Sequence, residues 1–109
     1  MIFIRYYENL IVDDSVDMEI TQFKELMQNG IATYGIYAIC VSDIGNGIME
    51  ILSSSNIIKS VNQSKNYGII AIAKGEKNIK RMLCKIIEDW LKTHSDLSLI
   101  KIYYNNRCY

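Results

Sequence analysis

The sequence has no proline, one histidine, one tryptophan and three cysteines among its 109 residues. Each scarcity excludes something. Proline is one of the devices that blunt exposed strand edges, so its absence leaves strand pairing between subunits open. Cys40, Cys84 and Cys108 are odd in number and widely spaced, which argues against a secreted disulfide framework and for reduced thiols in the cytoplasm. A zinc site needs four ligands, usually including one closely spaced pair. His94 lies ten residues beyond Cys84 and no such pair occurs, so no metal site is expected. A histidine-dependent nucleophile would have to recruit His94 from the end of a helix. Phosphate-loop, dinucleotide-binding and nucleophile-elbow patterns are missing. No run approaches the roughly 20 apolar residues that span a bilayer, and Met1–Tyr7 lacks the basic and apolar regions of a signal peptide. These exclusions lead us to expect a cytoplasmic, non-enzymatic protein with no cofactor, no catalytic residue and no membrane partner.

Half of the residues are hydrophobic and 22% are charged, the composition of one globular domain covering residues 1–109. Twelve basic and twelve acidic residues cancel. Their distribution is uneven: residues 1–56 hold eight acids and two bases, whereas residues 57–109 hold ten bases and four acids. Folding can intersperse these charges or leave an acidic face opposite a basic one, and the latter favours self-association or an anionic partner.

Hydrophobic periodicity supplies the elements. Residues 1–7 predict a buried central strand, interrupted at Glu8-Asn9 and continued by Leu10-Ile11-Val12. Val16, Ile20, Phe23 and Met27 form a helical stripe through most of 15–29, with Gly30 just beyond it. Residues 32–43 predict a strand, Gly45-Asn46-Gly47 a hairpin turn and 48–53 the antiparallel return. The polar stretch 54–66 reads as a connection with a short strand at Ile57-Ile58. Residues 67–73 predict a second central strand. From Gly75 to about His94, the positions Ile79, Met82, Leu83, Ile86, Ile87 and Trp90 mark one helix face. Residues 97–104 predict the last strand, and 105–109 a frayed tail. This order gives an α+β fold, an antiparallel sheet with two helices on one face. Its expected topology is ferredoxin-like (split βαβ), with an extra hairpin strand and a crossover through 67–104.

Two functional readings follow. Tyr6, Tyr7, Tyr103 and Tyr104 fall on the two terminal strands. If those strands are neighbours, the four rings form an uncovered sheet face suited to a homodimer or another protein partner. The alternative is single-stranded nucleic-acid binding. Lys65-Asn66-Tyr67-Gly68-Ile69-Ile70-Ala71-Ile72 resembles the octapeptide of the RNA-recognition motif, and Ile2-Phe3-Ile4 its shorter signature. That resemblance would have Phe3 and Tyr67 stack on bases, with Lys77, Arg81 and Lys85 of the second helix tracking phosphates. Asn66 replaces a glycine, and Ile69 and Ile72 stand where aromatics belong. Asp13, Asp14, Asp17 and Glu19 could ligate magnesium, but solvated acids near a helix start explain them equally well.

Overall fold

The computed structural model describes residues 4–42, 47–62 and 66–109. The chain forms β1 (Arg5–Val12), α1 (Ile20–Gln28), β2 (Ile36–Ser42), β3 (Glu50–Ser53), α2 (Ser54–Asn62), β4 (Tyr67–Lys74), α3 (Glu76–Leu91) and α4 (Ile100–Asn105). The sheet order is β1-β4-β2-β3. β4 runs parallel to β1 and antiparallel to β2, and β2 runs antiparallel to β3. This is an α+β fold with a mixed sheet, which corrects the expected antiparallel one. β3, α2 and β4 form one split βαβ unit, with β2 between the two parallel strands.

β4 explains the layers. Every residue from Tyr67 to Ala73 is buried, and a strand buried on both sides needs cover on both sides. α1 and α2 cover one face, where Phe23, Met27, Ile57 and Ile58 pack with Ala38, Cys40, Ile69 and Ile72. α3 and α4 cover the other, where Ile79, Ile86, Trp90 and Ile100 pack with Ile39, Val41, Ile70 and Ala71. Helices therefore flank both faces, a second correction. The periodicity is broken by a bulge. Ile39 pairs with Ala71 and Cys40 with Ile69, which leaves Ile70 as the extra residue. β1 carries a matching irregularity between Tyr6 and Ile11, at the Glu8-Asn9 interruption visible in the sequence. β1 lies at the sheet edge rather than at its centre.

Two helices occupy segments that read otherwise. In α2, the Ser53 hydroxyl accepts a hydrogen bond from the Asn56 N–H at 3.2 Å, and Ile57, Ile58 and Val61 face the core. Residues 97–104 contain no strand, so neither the last ferredoxin-like strand nor the crossover through 67–104 forms. Instead, Asp96 accepts bonds from the Ser98 N–H at 3.0 Å and hydroxyl at 2.7 Å. The chain then turns into α4, which fully buries Ile100. A helix this short is marginal alone. Arg5 holds its far end by donating to the Asn105 carbonyl at 3.2 Å and side-chain oxygen at 2.8 Å. The tail is not frayed: Tyr6 and Tyr109 exchange backbone bonds at 3.0 and 2.9 Å, and the Glu8 N–H reaches the Arg107 carbonyl at 2.9 Å. The Gly45-Asn46 turn lies outside the described residues, but the hairpin it was expected to close is present.

The tail also fixes a glycine. A Cβ built on Gly68 would stand 2.6 Å from Cys108 Sγ and 2.9 Å from Cys108 Cβ. We expect Gly68→Ala to cost about 1–3 kcal/mol through overpacking. In urea unfolding, Cys108→Gly should offset part of that loss in the double variant; strictly additive losses would show that the two residues do not touch.

Candidate functional site

Alternation along β1 divides the expected tyrosine surface. Consecutive strand residues point to opposite faces, so Tyr6 packs on the α1/α2 side and Tyr7 on the α3/α4 side. Lys24 Nζ lies 4.7 Å from the centre of the Tyr6 ring. Tyr7 meets Tyr104 edge-on with ring centres 5.1 Å apart, Tyr104 meets Tyr103 at 5.1 Å, and Tyr103 meets Trp90 at 5.4 Å. Three of the four tyrosines thus form one cluster, supplied by β1 and α4 rather than by two strands. It is built under helices, not on a bare sheet. Perpendicular rings match the positive edge of one π system to the negative face of the next.

Trp90 anchors the cluster. His94 stacks on it at 3.6 Å with nearly parallel planes, and the Trp90 indole N–H donates to the Asp96 carbonyl at 2.9 Å. His94 Nδ1 sits 3.1 Å from the Trp90 carbonyl and 3.0 Å from the Thr93 hydroxyl, so this nitrogen is engaged locally rather than with a nucleophile. Arg107 covers one face of Tyr103 at 3.8 Å. Between these rings and Ile11, Ile86 and Asp89 lies an open cleft of ≈ 280 Å³. Burial raises the pKa of Cys40 and of Cys108, so neither thiol is an activated thiolate at neutral pH.

The outer face of α4 is apolar and partly exposed, with Tyr103 at its margin against Trp90 and Arg107. Leu99, Ile102 and Tyr103 are spaced i, i+3 and i+4, which places them side by side on a helix. Their exposures are 58%, 57% and 36%. Leu91, at the end of α3 beside Trp90, is also exposed. Sequence reasoning found Tyr103 but missed Leu99 and Ile102, because strand alternation assigned them the wrong neighbours. Their 3–4 spacing was the available signal.

The nucleic-acid residues separate. Phe3 lies outside the described residues, as does Lys65. Tyr67 is 3% exposed in the core, and its hydroxyl lies 3.3 Å from Glu50 Oε2. It offers no free face for a base, which corrects its expected stacking role. Lys77, Arg81 and Lys85 are exposed along one line of α3. Arg81 faces Asp13 at 3.6 Å, and a neighbouring cleft of ≈ 440 Å³ brings Asp13, Asp14 and Asp89 beside Arg81 and Lys85. The acidic loop pins the end of β4: Asp13 accepts bonds from Ser15, which lower its pKa, and Asp17 pairs with Lys74 at 3.3 Å. No family model matches the chain, and neither curated proteins nor solved structures provide a match.

The partition of tyrosines has a titration consequence. Burial, with a smaller contribution from Cys40, pushes the Tyr6 phenol from 10.0 to about 12. A folded pKa above the unfolded one gives stability that is complete below pH 10 and is lost as pH rises toward 12. Burial also raises Tyr7, Tyr37, Tyr67 and Tyr104, so the Tyr6 contribution to an ultraviolet titration is read by difference: Tyr6→Phe should remove one phenol's worth of absorbance change near pH 12. Loss of that amplitude from the ordinary range near pH 10 instead would show that the Tyr6 hydroxyl is solvated.

Proposed function

We propose that this protein is a small, non-enzymatic cytoplasmic assembly module that self-associates as a dimer through the outer face of α4. The reading rests on one observation, the contiguous exposure of Leu99, Ile102 and Tyr103 on a helix whose opposite side is fixed by Ile100 and Arg5. Exposed apolar side chains scattered singly are ordinary, whereas a grouped set rimmed by polar residues marks a contact surface. A two-fold dimer uses one self-complementary patch on both subunits, and a short rigid helix presents such a patch at little entropic cost. In this reading Tyr103 forms the edge of the interface, Tyr104 and Tyr7 support it from beneath, and Tyr6 lies on the other side of the sheet.

Strand pairing between subunits is the less favourable route. Residues 107–109 already occupy the outer edge of β1 along Tyr6–Glu8. β3, at the opposite edge, is only four residues long, and short edges resist pairing. The alternative of nucleic-acid binding retains the exposed row of Lys77, Arg81 and Lys85, but acids line the same groove. Among the described residues, no helix is long and apolar enough to cross a membrane.

Sedimentation velocity tests the reading. A concentration-dependent dimer is expected, with Ile102→Glu weakening association by about tenfold or more, or 1.4 kcal/mol per tenfold. Because Ile102 is exposed, the same substitution should leave the urea midpoint nearly unchanged. A wild type that stays monomeric at all micromolar concentrations would refute the proposal. Fluorescence anisotropy with mixed oligonucleotides at low salt should remain flat; salt-sensitive binding would transfer the argument to the basic row.

A further inference from the structure

The aromatic cluster also encloses a site that self-association through the α4 face does not use. The ≈ 280 Å³ cleft between β1, α3 and α4 is lined by the rings of Trp90, Tyr103 and Tyr104 together with the apolar Ile11 and Ile86. Leu99 and Ile102 do not line it. Among the described residues, Asp89 is the one carboxylate in its walls, and no lysine or arginine stands there. An enclosure of aromatic rings and one acid favours a positively charged guest.

The cluster already holds one cation. The Arg107 guanidinium carbon lies 3.8 Å from the centre of the Tyr103 ring, at the distance where a ring face attracts positive charge. Trp90, Tyr103 and Tyr104 have two faces each. His94 takes one, Arg107 another, and each of three edge-on contacts at most one more. At least one face is therefore left without a ring or a cation among the described residues. Asp89 adds a formal charge. Its pair with Lys92 at 3.3 Å joins side chains that are 56% and 74% exposed, and exposed pairs of this kind contribute little, so the carboxylate stays available to a guest. Burial raises the Tyr104 phenol, and the smallest of the further causes is the Asp89 charge, which puts that carboxylate within electrostatic reach of the ring.

We infer that this cleft binds the quaternary ammonium group of an organic cation. The methyl groups of the guest meet the rings, Ile11 and Ile86, and Asp89 balances its charge. A primary ammonium suits the cleft less well, because it is strongly hydrated and brings three donors that need acceptors. The Thr93 hydroxyl and His94 Nδ1 also line the cleft. They are 3.0 Å apart and lie 3.4 and 3.1 Å from the Trp90 carbonyl. Those polar atoms are engaged with one another, whereas a quaternary ammonium requires no hydrogen bond.

Trp90 is the sole tryptophan of the chain, so its fluorescence reports on the cleft directly. The test titrates the full chain with choline, with ethanolamine and with neohexyl alcohol, the uncharged shape analogue of choline, at constant ionic strength. A saturable change with choline is expected, with both comparison compounds binding at least about fivefold more weakly. Asp89→Asn should weaken choline severalfold and leave neohexyl alcohol unaffected. Because the Asp89 side chain is 56% exposed, the urea midpoint of that variant should stay nearly unchanged. Absence of a saturable change, or unchanged choline affinity in a folded Asp89→Asn protein, would overturn the site. Neohexyl alcohol binding as tightly as choline would overturn the charge argument, and ethanolamine doing so would overturn the quaternary assignment. Ile102 lies outside the cleft, so Ile102→Glu should bind choline as the wild type does, and the result holds for monomer and dimer alike.

Discussion

Burial of β4 on both faces is the constraint from which the rest of the fold follows. A strand with seven consecutive buried residues, Tyr67–Ala73, cannot lie at an edge or leave one face to solvent. Its neighbours must satisfy its backbone on both sides, which β1 and β2 do. Two helical layers must also cover its side chains. α1 and α2 are drawn to one side by Ile69 and Ile72, α3 and α4 to the other by Ile70, Ala71 and Ala73. The bulge at Ile70 redistributes apolar side chains between the two cores without breaking the strand. Close approach of the tail to Gly68 is part of the same arrangement, since that position has no room for a side chain.

Much of this was legible in the residues, and the failures are informative. β2, β4 and α3 were evident because their apolar runs are long and their periods distinct. Gly75 marks the start of α3 for a physical reason: its φ of +86° is a conformation that side-chain-bearing residues rarely adopt. The continuous apolar run of β4 also held the answer to the layer question, because an all-apolar strand implies cover on both faces rather than one. α2 was obscured by its serines and asparagine, although Ser53 followed by Ile57, Ile58 and Val61 is a capped helical face. α4 was the harder case. Leu97–Tyr104 alternates and is rich in β-branched and aromatic residues, and local propensity favours a strand. Tertiary contacts override it through Ile100 in the core and Arg5 at the helix end.

Arg5 joins segments that sequence distance separates widely. Its Nε donates to the Asn66 side chain at 2.9 Å, while its other nitrogens bind Asn105. One guanidinium therefore ties β1 to the approach of β4 and to the end of α4. The planar fork suits this work, since its donors are fixed relative to one another and a lysine could not satisfy three acceptors in the same geometry. The expected proximity of the chain's beginning and end is realised in this way, but by an antiparallel bridge of Tyr7 with Cys108 rather than by two full strands. That difference moves Tyr103 and Tyr104 from a sheet face onto a helix.

The same difference decides what the tyrosines can do. On a sheet, Tyr103 and Tyr104 would point to opposite faces, and only one could share a surface with Tyr7. On a helix, consecutive residues diverge by about 100°, so Tyr104 turns inward to meet Tyr7 while Tyr103 stands at the margin between Trp90 and solvent. Tyr104 then acts as a half-buried wedge, with its phenol raised in pKa by burial and by the neighbouring Tyr7. Tyr103 becomes the edge of an exposed apolar row. The inward ring fixes the position of the helix, and the fixed helix keeps Leu99 and Ile102 outward. An exposed apolar side chain held rigidly loses less entropy on association than one on a mobile tail, and the proposed α4 interface depends on that difference.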